Sequence, residues 1–217
     1  MNLSADPVTI AGMVTREVRT GERDGARTKI IVARRPYATG QADLWDALTN
    51  ADRIPRWFLP VSGELKTGGR YQLEGNAGGV VEQCEEPETF SVTWEYGGQV
   101  SWLVVTLRPT DDGTVLELAH EAQIDDMWSQ FGPGAGGVGW DLGLMGLALH
   151  IQSGAPVDPE DGMAFPLTPE GRLFVRTAAM SWAEAAIADG DDSAAARAAA
   201  ERTIAFYTTM PGDGNGT

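Results

Sequence analysis

Cysteine and histidine are scarce in this 217-residue chain, which has Cys84 as its one cysteine and His120 and His150 as its two histidines. A single thiol cannot form an intrachain disulfide, which fits a reducing compartment and predicts a cytoplasmic protein. So few soft ligands, none closely spaced, leave nothing from which to build a zinc-type site, and neither a metal nor a cofactor is expected. Positive charge is also short: 16 Lys and Arg stand against 31 Asp and Glu, a formal net charge of −15. Nucleic-acid binding needs clustered cations against phosphates, so no nucleic-acid partner is expected. Long apolar runs are missing as well. The stretch from Leu142 to Leu149 falls far short of the roughly 20 residues that cross a bilayer, so no membrane partner is expected. The first residues lack the cationic start and apolar core of a secretory signal.

What the chain does contain is a 42% hydrophobic share, enough for one real core plus an appendage. Its organising stretch runs from Phe131 to Gly154. At about 100° per residue, Val138 to Gln152 reads as one helix with two apolar stripes. Trp140, Leu144, Leu147 and Ile151 form one, and Val138, Leu142, Met145 and Leu149 the other. Two stripes predict packing on two sides. Between them lie Gly139, Gly143, Gly146 and His150 on one side, and Asp141, Ala148 and Gln152 on the other. Each mid-helix glycine costs about 0.5–1 kcal/mol against alanine, so the glycine row implies close backbone approach or a space kept open.

Residues 1–27 read as a poorly fixed arm with an edge strand around Val8 to Thr15. Thr28 to Ala33 is β-branched and reads as a first strand. Thr39 can cap a helix over Gln41 to Leu48, with Leu44, Trp45 and Leu48 inward, and a short second helix follows from Asn50 to Phe58. From Val61 the period changes to two. Strands are expected at Val61–Leu65, Arg70–Glu74, Gly79–Cys84, Thr89–Glu95, Gln99–Arg108 and Thr114–Glu121, joined by glycine turns into an antiparallel meander. Phe90, Val92 and Trp94 share one face, as do Leu116, Leu118 and His120. Leu103, Val105 and Leu107 point inward, which leaves Trp102 and Val104 outward and raises the prospect of a homodimer contact. Residues 154–167 read as a linker. Thr168 starts a helix stopped at Gly190, and Asp192 or Ser193 caps a last helix through Tyr207, with Pro211-Gly212 beyond its end. This alanine-rich pair has little area of its own to bury and should dock on the Val138, Leu142, Met145 and Leu149 stripe.

The fold class implied is α+β. LWDALT at Leu44–Thr49, RWFLP at Arg56–Pro60, GGRYQLEG at Gly68–Gly75, GGVVEQCEEPETFSVTWE at Gly78–Glu95 and VLELAHE at Val115–Glu121 carry a family resemblance. They resemble homologues of the C-terminal domain of the heat-shock-protein ATPase activator, within the START-like (SRPBCC) superfamily. The resemblance covers residues 28–153. It implies a helix-grip fold, a curved antiparallel sheet around a long helix. Residues 168–210 would be an added helical pair and 211–217 a tail. START-like proteins often hold a small apolar molecule between sheet and helix, which makes such a molecule the expected partner.

On that expectation, Trp140, Leu144 and Leu147 face Phe90, Trp94, Leu103, Leu116 and Leu118, with His120 as a polar group near one end. His120 is the candidate general base; the alternative is a histidine satisfied at a strand end. No catalytic set can be assembled around it, so binding is preferred to catalysis. The two rival functions are a protein-interaction module like the chaperone-ATPase activator and a cavity enzyme of the cyclase or hydratase kind. The glycines from Gly132 to Gly137 lack the Lys-Ser/Thr pair of a phosphate cradle and read as a lead-in to the helix.

Overall fold

The computed structural model describes residues 6–209. The expected 211–217 tail, the Pro211-Gly212 stop and residues 1–5 of the arm lie outside the described residues. Seven helices and eight strands follow one another as α1 (Pro7–Gly12), β1 (Thr15–Arg23), β2 (Ala26–Tyr37), α2 (Gln41–Thr49), β3 (Val61–Gly63), β4 (Arg70–Leu73), β5 (Gly78–Glu85), β6 (Thr89–Tyr96), β7 (Gln99–Thr110), β8 (Gly113–Gln123), α3 (Asp126–Phe131), α4 (Gly134–Ser153), α5 (Pro159–Ala164), α6 (Pro169–Ala188) and α7 (Ser193–Thr208). Single 3₁₀ turns sit at Ile54–Arg56 and Phe165–Leu167.

All strands join one curved antiparallel sheet in the order β1-β2-β8-β7-β6-β5-β4-β3. The meander from β3 to β8 follows the alternation in the sequence, and β2 pairs with β8 on one side and the edge strand β1 on the other. Helix α4 lies across the inward face, held at one point by the buried Tyr37 hydroxyl, which donates to the Leu144 carbonyl at 2.9 Å. This is the helix-grip arrangement.

Several local expectations change. Val8 to Thr15 is not a strand: Pro7–Gly12 is helical, capped by Asp6, whose carboxylate accepts from the Val8 and Thr9 amides. The edge strand comes later, at β1. The second short helix shrinks to the Ile54–Arg56 turn. Gly40 rather than Thr39 is the α2 cap, and the Thr39 hydroxyl donates to Asp43 at 2.6 Å. Residues 154–167, without period in the sequence, carry α5 and a 3₁₀ turn, with Phe165 buried.

The C-terminal pair docks on α4, and its small and polar contacts lie beside the expected stripe, of which Val138 and Met145 are buried. Trp182 of α6 is fully buried against Gly137 and Asp141, Thr203 of α7 fills the space beside Gly134, and the Tyr207 hydroxyl donates to the Ala135 carbonyl at 2.7 Å. These positions lie roughly 40–100° round the helix from Val138. An indole needs the room that Gly137 leaves, and Asp141 needs a donor, so small and polar residues set the contact. Asp141 is completely buried. Its Oδ2 accepts from Trp182 Nε1 at 2.9 Å and from Arg16 Nε at 3.1 Å, tying α6 and β1 to α4. Burial raises the Asp141 carboxyl to about 6 against the pull of Arg16. A second clamp joins the turn after α6 to β2: Lys29 Nζ donates to Asp189 at 2.7 Å and to Asp191 at 2.8 Å. Chain ends that look separate in sequence therefore meet in one layer beside α4.

The outward Trp102 is covered by the chain itself. The Arg23 guanidinium stands 4.3 Å from its ring centroid and pairs with Glu121. That removes the reason for which a homodimer contact was invoked, although Val100 and Val104 on the same face stay exposed.

Candidate functional site

Between the inward face of the sheet and α4 lies a cavity of about 280 Å³. Its sheet wall is built by alternation: Phe90, Val92 and Trp94 from β6, Leu103 and Val105 from β7, and Leu116 and Leu118 from β8. Trp140, Gly143 and Leu144 supply the helix wall. Of the nine residues proposed from the sequence, seven line it; the exceptions are Leu147 and His120. Leu147 shares the Trp140 stripe but lies two turns further on, fully buried next to Gly146, over which the Trp57 main chain closes.

His120 stands behind the wall. It sits opposite Leu103 on β7 and Ile31 on β2, and its ring is 5.7 Å from Trp140 and 6.0 Å from Trp94. Trp140 Nε1 donates to His120 Nδ1 at 3.0 Å, which fixes the proton on Nε2; that nitrogen faces Ser101 Oγ at 2.8 Å. Ser101 in turn donates to the Trp94 carbonyl at 3.1 Å. Both imidazole nitrogens are thus engaged by the protein. Burial pushes the imidazole down to about 4, and protonation at Nδ1 would also break the Trp140 bond. The second histidine, His150, is buried as well, with Nδ1 2.8 Å from the Ala155 carbonyl and Nε2 accepting from Arg53 at 3.3 Å.

Much of the remaining wall escapes a reading by local pattern. Trp45 and Leu48 of α2, Trp57 and Phe58 after the 3₁₀ turn, and Tyr71 and Leu73 of β4 form a large part of it. Phe58 stacks near Trp140, centroids 6.3 Å apart at 19°, and on Trp57 at 5.3 Å and 27°. Here the glycine row of α4 finds its use. A Cβ at Gly143 would touch the Phe58 ring at 3.6 Å, and one at Gly146 would lie 2.9 Å from the Trp57 carbonyl oxygen. The row is a seat for the 57–58 segment. At the cavity mouth stand Cys84 and Glu86, both exposed. The Cys84 thiol is pushed up by burial and by the Glu86 charge.

A curved antiparallel sheet gripping a long helix, with an apolar cavity between them, defines a START-like α+β domain. The chain belongs to the family described as Activator of Hsp90 ATPase homolog 1-like protein, whose family model matches residues 38–147. Among solved structures it is similar to CalU16 from Micromonospora echinospora. The solution structure of that protein is 30% identical with a TM-score of 0.67, covering 82% of this chain and 97% of that one. Its crystal structure gives 28% and 0.63, with 79% and 97% covered. These spans exceed the family-model match, so the likeness reaches into the flanking elements. Protein MLL2253 from Mesorhizobium loti, 23% identical with a TM-score of 0.51 over 57% of this chain and 96% of that one, shares the fold. No curated protein matches the chain.

Proposed function

We propose that this protein binds a small, largely apolar molecule in the cavity between sheet and α4. The observation that carries the reading is the wall: aromatic and aliphatic side chains from both layers enclose about 280 Å³, just under the roughly 300–1,000 Å³ usual for small-molecule sites. A close-packed interior leaves few voids larger than a water molecule. Three of the wall's polar groups are turned away from the space they border. Trp57 Nε1 donates to the Ala47 carbonyl, Trp140 Nε1 to His120, and the Tyr71 hydroxyl to the Thr93 carbonyl.

The same geometry gives no support to a cavity enzyme working through His120. Its one basic nitrogen already accepts from Trp140, so we assign it the role of fixing that indole, and with it the helix wall. Thermal shift with the neutral fluorophore N-phenyl-1-naphthylamine tests the binding reading. At one hundred times the dissociation constant a ligand stabilises the native state by about 2.7 kcal/mol, so a saturable rise in melting temperature is expected. Leu144→Trp, which fills the cavity, should abolish the rise while leaving the protein folded. A wild type that shows no shift, or a variant that shifts equally, contradicts the reading.

A further inference from the structure

The charge of the ligand follows from the mouth of the cavity, given that the cavity is a binding site as proposed above. We infer that it selects a flat aromatic body carrying a protonated amine, with the ammonium at Glu86, and that it discriminates against carboxylates.

Glu86 is the one charged side chain among the described residues of the wall, and no hydrogen bond or ion pair engages it. No Lys, Arg or His joins it there. An incoming carboxylate would find no cation, and four of the wall's donors are committed: Trp57, Trp140 and Tyr71 as described, and the Thr49 hydroxyl to the Trp45 carbonyl at 2.8 Å. Only the Trp45 and Trp94 indoles among the wall's ring donors stay free, and burying an anion with so few partners is costly. An ammonium meets the opposite surroundings. It finds a free carboxylate at the rim, and ring faces of the kind that attract cations behind it. The Cys84 thiol, raised first by burial and then by the Glu86 charge, lines the cavity beside it. The near-parallel Trp57, Phe58 and Trp140 rings favour a flat guest over a flexible chain.

Three probes with one naphthyl body separate the terms: 1-naphthylmethylammonium, 1-naphthalenemethanol and 1-naphthoate, titrated calorimetrically into the full chain at low salt. An exposed ion pair changes an equilibrium constant by up to about fivefold, so the ammonium should bind about three- to fivefold tighter than the alcohol, and the carboxylate weakest of all. The ammonium's advantage should shrink as salt rises. In Glu86→Gln the ammonium and the alcohol should come within about twofold of each other. Glu82→Gln, on β5 just before Glu86 but outside the wall, should keep the preference; an equal loss there would assign it to the net charge of the whole protein and overturn the role of Glu86. Equal binding of all three probes by the wild type sinks the charge selectivity and leaves the cavity reading standing. Failure of the alcohol to bind at all takes both down.

Discussion

Replacing Gly137 by alanine should be among the most damaging single-methyl changes in this protein, against the usual rule for helices. On an exposed helix the substitution gains about 0.5–1 kcal/mol in propensity. At Gly137 the added Cβ would overlap the fully buried Trp182 indole, lying 2.5 Å from Nε1. Trp182 has no room to retreat, and any movement breaks its 2.9 Å bond to Asp141. Overpacking costs about 1–3 kcal/mol. Leaving a buried acceptor short of a partner costs a further 1–3 kcal/mol or so. Net of the propensity gain, a loss of roughly 2–4 kcal/mol is expected, a fall of about 5–15 °C in melting temperature for a chain of this size. Gly143→Ala on the same helix is the control. Its Cβ would meet Phe58 at an ordinary 3.6 Å, so propensity should dominate and stability should hold or rise. Urea denaturation of both variants, read by circular dichroism, decides it. Similar midpoints for the two would refute the view that α6 approaches α4 through a site that only glycine can fill.

Two other perturbations follow from the buried charges. Arg16→Met strips Asp141 of its ion pair and should cost about 3–5 kcal/mol near pH 8. Because the Asp141 carboxyl titrates at about 6 when folded, above its ordinary 3.8, the protonated form is favoured by folding; its stabilising contribution is complete below about 3.8 and lost as pH rises through 6. The variant should therefore be less damaged at pH 5 than at pH 8, and a pH-independent loss in denaturant midpoint would count against the assignment. His120 works in the other direction. Its folded value of about 4 lies below the ordinary 6.5, so it contributes stability above 6.5 that is lost as pH falls through 4. His120→Gln, which keeps an acceptor for Trp140, should melt with less acid sensitivity between pH 6.5 and 4 than the wild type; identical pH profiles would contradict the buried neutral imidazole.

The meander and the long helix were legible because their alternation and stripes are local. Phe90, Val92 and Trp94 announce their face whatever the rest of the chain does. Edge strand β1 was missed for a physical reason: it has one neighbour, and only Val18 along it is fully buried, so its sequence shows little alternation. Asp141, between the two stripes, carries no local sign of its burial, since nothing near it in sequence names Arg16, 125 residues away, or Trp182. The apolar sheet rows and the helix stripe pointed to seven lining residues, five on the sheet and two on α4, but the wall from Trp45 to Leu73 depends on a loop closing over α4. The glycine row was the one local signal of that closure. His120, in line with Leu116 and Leu118, carried no sign that Trp140 would take its lone pair.

The central claim, a molecule held between sheet and helix, is tested most directly by methyl NMR on leucine- and valine-labelled protein titrated with N-phenyl-1-naphthylamine. Saturating shifts and ligand contacts at Leu103, Leu116, Leu118 and Leu144 are predicted, with the outward methyls of Val100 and Val104 unmoved. Contacts confined to Val100 and Val104, or no shifts at the four leucines, would contradict the account.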